Sequence, residues 1–469
     1  MIHLIRNLFL SCLVMTFFVG TGSANNNVIN KNSQSICVST FDIDATPPVG
    51  SQLSYNCMKK SWDLGLRAKG IVIQGSGKPI VLCAIDWIGI ANEGQDAFKE
   101  ALAVAVNTVP ERVEVHTLHQ HDAPICDFTV EKILKDAGIN PGCFEGSYAR
   151  ELIITLSKAV KESLKESRPV SHISFGEAPV YKVASNRRVF KRNGRIVKLR
   201  GSSCNDPKLR ALPEGVIDPM VSVISFWDGE TPIAVLSFYA THPQSYYLTG
   251  VANPDFVGLA RFYRQLEIPE ALHIHFNGAG GNIAAGKYND GSKENREILA
   301  RRLADGMKRA WENGKKTTIV PEEVKWGTSA VALPPARNIG KEIEKKMKED
   351  DLPLHYLINN MSQFAWLKRR EAGKTINFSC LSLGKVRLLF LPGELYVEYQ
   401  LAAKAMRPDL FVAMAAYGDY GPYYIGTKED YSQGGNIPYE DYEIKDSPVT
   451  GKAESVVMHG ISDLLKPKE

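Results

Sequence analysis

Ile80 to Ile88 is an almost unbroken apolar run, Gln95 to Val106 carries Phe98, Leu102, Val104 and Ala105 at helical spacing, and Val113 to Thr117 reads as a further strand. An apolar run bounded by turn residues is the mark of a strand buried on both faces. Strand, helix, strand is a β-α-β unit, whose two strands lie parallel in one sheet. The class that follows is α/β, a mixed β-sheet core flanked by helices. The second strand breaks into His119-Gln120-His121-Asp122-Ala123-Pro124. Open α/β sheets place ligands just outside the C-terminal ends of their strands, so this pair of histidines is the first candidate site.

Similar strand ends recur along the chain. Ile71 to Ile73 precedes the turn Gly75-Ser76-Gly77-Lys78. Tyr148 to Glu166 is an amphipathic helix, Ile173 to Val189 is extended and runs into Asn186-Arg187-Arg188, and Gly194 to Gly215 reads as a polar loop. Val221 to Trp227 and Ile233 to Tyr239 form a hairpin around Asp228-Gly229, and the second strand runs into Thr241-His242-Pro243. Helical spacing returns at Phe256 to Leu266, Glu294 to Glu312, Ser362 to Ala372 and Lys452 to Leu465. Leu272 to Phe276 is a strand before Asn277-Gly278-Ala279-Gly280-Gly281-Asn282. A strand pair from Ile376 to Leu391 ends in Pro392-Gly393-Glu394, and Phe411 to Ala416 precedes a Gly/Tyr loop that holds Tyr431. Lys341 to Asp351 is a solvated charged stretch. No internal repeat and no linker stand out, so residues 37–469 read as one catalytic domain.

Composition narrows the class of partner. Hydrophobic residues make up 44 % and charged residues 23 % of the chain, as in an ordinary globular protein. A net charge of +4 gives no footing for nucleic acid and leaves at most peripheral contact with a membrane. Arg6, the apolar stretch Leu8 to Val19 and Gly22-Ser23-Ala24 read as a signal peptide over 1–24, cleaved after Ala24. Residues 25–36 are a polar lead-in. The expected location is therefore secreted or periplasmic. With Cys12 in the signal peptide, Cys37, Cys57, Cys83, Cys126, Cys143, Cys204 and Cys380 remain, an odd set that cannot pair completely within one chain. Cys37 with Cys57, or Cys126 with Cys143, are candidate pairs.

Two imidazoles at i and i+2 share one face of a regular strand, but a break between them re-aims one. Both can then reach one metal, or one ligates while the other works beside it; spacing does not decide. His242, Glu394 and the loop around Tyr431 each follow or lie near a strand end and a Gly or Pro break, and offer donors that suit zinc. His273 and His275 repeat the i, i+2 spacing inside a strand and read as packed core histidines. Gly281 to Lys287 follows most of a phosphate-loop pattern, yet Tyr288 replaces the hydroxyl residue and no helix starts there. No Gly-x-Ser-x-Gly elbow or His-Glu-x-x-His is present.

The order of these segments resembles the neutral, non-lysosomal ceramidase family over nearly all of the expected mature chain. Asp42-Ile43-Asp44-Ala45-Thr46-Pro47, Arg67-Ala68-Lys69 to Asp86, Thr117-Leu118-His119-Gln120-His121, Ala240-Thr241-His242, Asn277-Gly278 to Asn282, Leu391-Pro392-Gly393-Glu394 and Thr427-Lys428-Glu429-Asp430-Tyr431 each stand where that family has a similar segment. The resemblance implies one zinc ion per chain, held by His119, His242, Glu394 and Tyr431. It implies His121 as a catalytic residue beside the metal, Arg187 pointing into the site, and a further tyrosine for which Tyr439, taken first, and Tyr442 are candidates. The implied reaction is hydrolysis of the amide bond of an N-acyl sphingoid lipid. In it His121 accepts the proton of the attacking water and returns it to the leaving amine, while Arg187 or a tyrosine helps to stabilise the oxyanion. The chain departs from the family at Asp122 to Cys126, where Ser-Gly-Pro-Gly-Gly is usual, and no C-terminal immunoglobulin-like domain is expected. Asp122 is placed to hydrogen-bond a ligand histidine.

Overall fold

Ile71 and Ile73 point to one side of their strand and Val72 to the other, yet all three are fully buried. Ile80, Leu82 and Ala84 face one core and Val81, Cys83 and Ile85 a second. A strand covered on both faces has no solvent side to make polar, which is why the runs lack alternation. The computed structural model describes residues 35–62, 64–190, 196–336, 340–341, 345, 354–432 and 447–466. The expected signal peptide, almost all of the lead-in, most of the charged stretch Lys341 to Asp351, and both Tyr439 and Tyr442 lie outside them. No helix among the described residues is long and apolar enough to cross a membrane.

Three sheets carry the fold. The first holds β1 (Cys37–Asp44), β2 (Arg67–Gln74), β3 (Ile80–Ile85), β4 (Val113–Thr117) and the short β5 (Arg168–Pro169), in the order β4-β3-β2-β1-β5. The second holds β6 (His172–Pro179), β7 (Met220–Asp228), β8 (Thr231–Tyr239), β9 (Leu272–Asn277) and β10 (Lys315–Thr318), in the order β9-β8-β7-β6-β10. The third holds β11 (Val324–Val331), β12 (Ile376–Leu383), β13 (Val386–Phe390) and β14 (Phe411–Ala415), in that order. In every sheet the first three strands are antiparallel and the fourth is parallel to the third: β4 to β3, β9 to β8, β14 to β13.

The helices repeat as well. Each parallel pair is joined by a helix: α1 (Glu93–Ala105), α5 (Asp255–Glu267) and α8 (Val397–Met406). Each is packed by a helix that follows the sheet: α3 (Ser147–Ser163), α6 (Glu294–Glu312) and α10 (Ala453–Leu465). The chain thus traces one topology three times, where its sequence showed no repeat. The repeat is carried by burial pattern and strand order. The inserts between the first and second strands differ in length and content, so residue identities do not align. Residues from one face of all three sheets, among them Ile71, Leu82, Val223, Leu236, Leu381 and Leu388, share a single core.

Several local expectations change. Gly194 to Gly215, read as loop, contains the strand Ile196–Leu199 and α4 (Pro207–Ala211), whose start is capped by the Asp206 carboxylate. The helix expected from Ser362 begins earlier, as α7 (Leu354–Glu371). Neither candidate cysteine pair forms; the disulfide joins Cys57 to Cys143. The Gln52 N–H donates to Cys143 O at 2.7 Å and Gln52 bridges to Cys57, which brings those two backbones together. Cys37 is held in β1 opposite Gln74, and Cys126 is buried against Gly94.

Candidate metal centre

The parallel edge strand of each sheet ends at one hub. Thr117 N–H donates to Tyr417 O at 3.0 Å, Ala416 N–H to Asn277 O at 2.9 Å, and the Asn277 side-chain amide to Leu118 O at 3.3 Å. The C-terminal ends of β4, β9 and β14 are therefore tied together, and the turns that follow them and their parallel neighbours form the site.

His119 sits at φ +67°, a conformation that non-glycine residues adopt at a cost of order 1–3 kcal/mol. That kink separates it from the strand and from His121. Its N–H is held by Trp87 O at 2.9 Å, and its Nδ1 lies 2.8 Å from Ile88 O. A carbonyl oxygen can only accept, so Nδ1 carries the ring proton and Nε2 presents its lone pair. His242, past the end of β8, is held the same way, with Nδ1 at 2.7 Å from Gly280 O and 3.2 Å from Ile283 O. Burial first, then the Arg187 cation, pulls its pKa down to about 4, which keeps the ring neutral near pH 7.

Glu394 completes the group. Gly393 supplies the φ of +61° that turns the chain after β13, and at Gly281 a Cβ would come within 2.4 Å of Glu394 O, so both glycines are needed for the turns to nest. One carboxylate oxygen, Oε2, lies 2.9 Å from His242 Nε2 and 3.3 Å from His119 Nε2. The other, Oε1, accepts from the Tyr420 hydroxyl at 2.7 Å. Burial, then Glu394, pushes the Tyr420 phenol well up, so it stays a donor.

Two imidazole lone pairs and a carboxylate oxygen thus converge on one buried point. Acceptors facing acceptors repel, and a cation between them removes the repulsion. His119 Nε2 makes no hydrogen bond although it is buried. Ring nitrogens of His119, His121 and His242 all lie within 4.8 Å of one another, a grouping that can hold a metal ion. The donor set, imidazoles with a carboxylate, suits zinc.

His121 has a different setting. Its Nδ1 is 2.6 Å from the Tyr55 hydroxyl and 2.8 Å from Gln244 Nε2, and the rings of Tyr55 and Tyr247 flank it. Arg187 is buried and reaches the same neighbourhood: its guanidinium donates to Gln244 Oε1 at 2.9 Å, Ser202 Oγ at 3.1 Å and the Tyr424 hydroxyl at 3.2 Å. Arg188 turns the other way, over the ring of Tyr396.

Other expected residues fall elsewhere. The Tyr431 hydroxyl pairs with Ser447 Oγ at 3.0 Å, and the tyrosine bonded to Glu394 is Tyr420. The Asp122 carboxylate does not orient a histidine; it accepts from the Thr249 hydroxyl at 2.6 Å and from Thr249 N–H, while backbone carbonyls orient both ligand rings. Lys287 of the phosphate-loop pattern donates to Arg210 O at 2.9 Å and to Leu212 O. His273 and His275 are buried, and His275 pairs with Ser237. Tyr420 follows β14, a strand end like the others, so the sequence pattern could have singled it out. Tyr55 and Gln244 carry no such signal.

No protein-family model and no curated protein matches the chain. Solved structures do. The architecture is a neutral ceramidase-like α/β fold. The crystal structure of neutral ceramidase from Pseudomonas aeruginosa is similar with a TM-score of 0.63 at 14 % identity, over 92 % of this chain and 74 % of that one. A ceramidase complexed with C2 gives a TM-score of 0.65 at 14 % identity, over 92 % and 75 %.

Proposed function

We propose that this chain is a zinc-dependent hydrolase that cleaves the amide bond of an N-acyl sphingoid lipid, releasing a fatty acid and an amine base. The observation that carries the reading is the meeting of His119 Nε2, His242 Nε2 and Glu394 Oε2 at one buried point, with both Nδ1 atoms committed to backbone carbonyls. His119, His242 and Glu394 would hold the ion, with a tyrosine, Tyr431 or Tyr420, as the fourth group. Zinc, when bound, would supply a Lewis acid for the carbonyl oxygen and bring the pKa of a water toward neutrality. His121 is the side chain that would pass the proton of the attacking water on to the leaving amine, and Arg187 would add positive charge beside the developing oxyanion. The neutral ceramidase fold supports the lipid amide as the leading substrate.

A second reading keeps the metal and changes the substrate to another N-acyl compound, an ester or a saccharide-linked group. It is favoured by the Asp122 to Cys126 loop, which is tied back by Thr249 and bears none of the family's glycines beside the site. Purified protein should contain about one zinc per chain, release fatty acid from a fluorescent ceramide, lose that activity to a chelator and regain it with zinc. Zinc content with turnover of only other substrates would move the assignment to the second reading. Zinc content without turnover of any would leave a ligand-binding protein, and absence of both would overturn the proposal.

A further inference from the structure

His119 and His242 have carbonyl oxygens at Nδ1, but His121 has two donors there. The orientation of the Gln244 amide decides what this means. Its Oε1 is 2.9 Å from Arg187 Nη2 and also accepts from the Ser202 hydroxyl. A guanidinium can only donate, so the atom facing it must be the amide oxygen. The NH₂ end of Gln244 then points at His121 Nδ1, 2.8 Å away, and must donate to it. The Tyr55 hydroxyl approaches the same nitrogen at 2.6 Å. Nδ1 is therefore an acceptor, and the neutral ring carries its proton on Nε2, the opposite of its two neighbours. Nε2 of His121 is buried and makes no hydrogen bond.

We propose that Gln244, held by Arg187 and Ser202, is a positioning residue that sets His121 as the Nε2–H tautomer, so that His121 meets the substrate as a hydrogen-bond donor and not as a third metal ligand. The nature of that substrate rests on the hydrolase reading above; the tautomer does not. Within that reading, His121 starts the reaction as a hydrogen-bond donor to the substrate carbonyl oxygen. To hand its Nε2 proton to the leaving nitrogen the ring takes another at Nδ1 from the Tyr55 hydroxyl and stays neutral, and the proton of the attacking water restores the tyrosine. Arg187 gains a second task, since the chain Arg187, Gln244, His121 links its permanent charge to the choice of tautomer.

Nitrogen-15 NMR of zinc-loaded protein labelled at histidine reads the tautomers directly, with His121→Gln used to assign the ring. Wild-type His121 should show its proton on Nε2, and His119 and His242 on Nδ1. Gln244→Glu keeps an acceptor for Arg187 but offers His121 Nδ1 an acceptor too, so the His121 proton should move to Nδ1. The variant should retain its zinc, and kcat should fall about 10–100-fold, the usual cost of losing an orienting partner. Wild-type His121 protonated on Nδ1 would overturn the proposal whether or not any variant folds. So would Gln244→Glu with the His121 tautomer unchanged. A protein that shows the expected tautomers yet cleaves no ceramide supports this assignment and counts only against the substrate.

Discussion

The first and second sheets have the same strand order, the same parallel edge and the same connecting helix, but they divide the work in opposite ways. In the first, the candidate ligand His119 follows the edge strand β4, and the turn after its neighbour β3 supplies the orienting carbonyl, Ile88 O. In the second, the candidate ligand His242 follows β8, and the turn after the edge strand β9 supplies the carbonyl, Gly280 O. The third sheet follows the second: Glu394 comes after β13, and Tyr420, after the edge strand β14, donates to it. The topology fixes where six strand ends meet. It does not fix which end of a pair ligates and which orients. That choice lies in a kink at His119, and in Gly281 and Gly393, which let the later turns approach closely.

The comparison breaks most severely if a ligand is removed. His119→Ala and Glu394→Ala, one from each arrangement, should each lower zinc affinity by more than about a hundredfold, beyond the 10–100-fold typical of orienting groups. Isothermal titration with zinc measures this; an unchanged affinity in either variant would remove that residue from the centre. The next effect concerns the insert between β1 and β2 of the first sheet. Cys57 and Cys143 close a span of 86 residues and carry Tyr55 to His121. Cys57→Ala with Cys143→Ala should cost about 2–4 kcal/mol in chemical unfolding. Loss of less than about 1 kcal/mol would mean that the insert is held by its packing alone.

Tyr420→Phe tests the third sheet's version of the rule. Removing the donor to Glu394 should weaken zinc about 10-fold to 100-fold, as for other outer partners of metal ligands. Tyr431→Phe, which leaves Ser447 without its tyrosine partner, should cost less. If Tyr431→Phe proves the more damaging of the two, Tyr431 is the fourth ligand, as the family resemblance implies, and its hydroxyl must leave Ser447 when zinc binds.

Much of this was legible in the chain itself. The apolar runs and helical spacings place most strands and long helices, because burial on both faces leaves a pattern that single residues cannot hide. The histidines and Glu394 stand out because each lies just past a strand end, where the chain breaks into a turn. The threefold topology was not legible, since it is a property of pairing partners and not of residue identity. Tyr55 and Gln244 act through contacts of long sequence separation, and the disulfide depends on a bridge between Gln52 and Cys57 that no spacing rule foresees. Asp122 was legible as a hydrogen-bonding residue beside the histidines but not in its partner, because Thr249 lies in a loop whose path no local signal sets.

The smallest effect separates two carboxylates on α2 (Phe128–Asp136), the helix that follows the His-x-His turn. Asp127 caps it, accepting from Thr129 N–H and Val130 N–H, and also accepts from Asn92 and from Ser362 of α7. Burial raises its pKa to about 7. Folded protein then holds a proton that unfolded protein releases near pH 4, so Asp127 favours the fold at low pH, and that advantage is lost as pH rises through about 7. Glu131, one turn on, has the opposite sign. Burial would raise it, but Arg150 and Lys135 outweigh that and bring it to about 2, so its contribution is present above about pH 4.5 and lost toward pH 2. Of the two carboxylates only Asp127 changes its proton between pH 5 and pH 8, while the buried His242, His273 and His275, held at about 3–4 in the fold, add stability of the opposite slope in the same interval. The Asp127 part, read in urea as the difference between wild type and Asp127→Asn, should therefore fall by about 2–3 kcal/mol across that interval. Asp127→Asn removes that part of the slope and leaves the histidine part. Glu131→Gln should leave the slope intact and remove about 1 kcal/mol uniformly across it, the value tempered by the half-exposed partners. A pH dependence that Asp127→Asn leaves unchanged would mean that Asp127 is ionised in the folded chain.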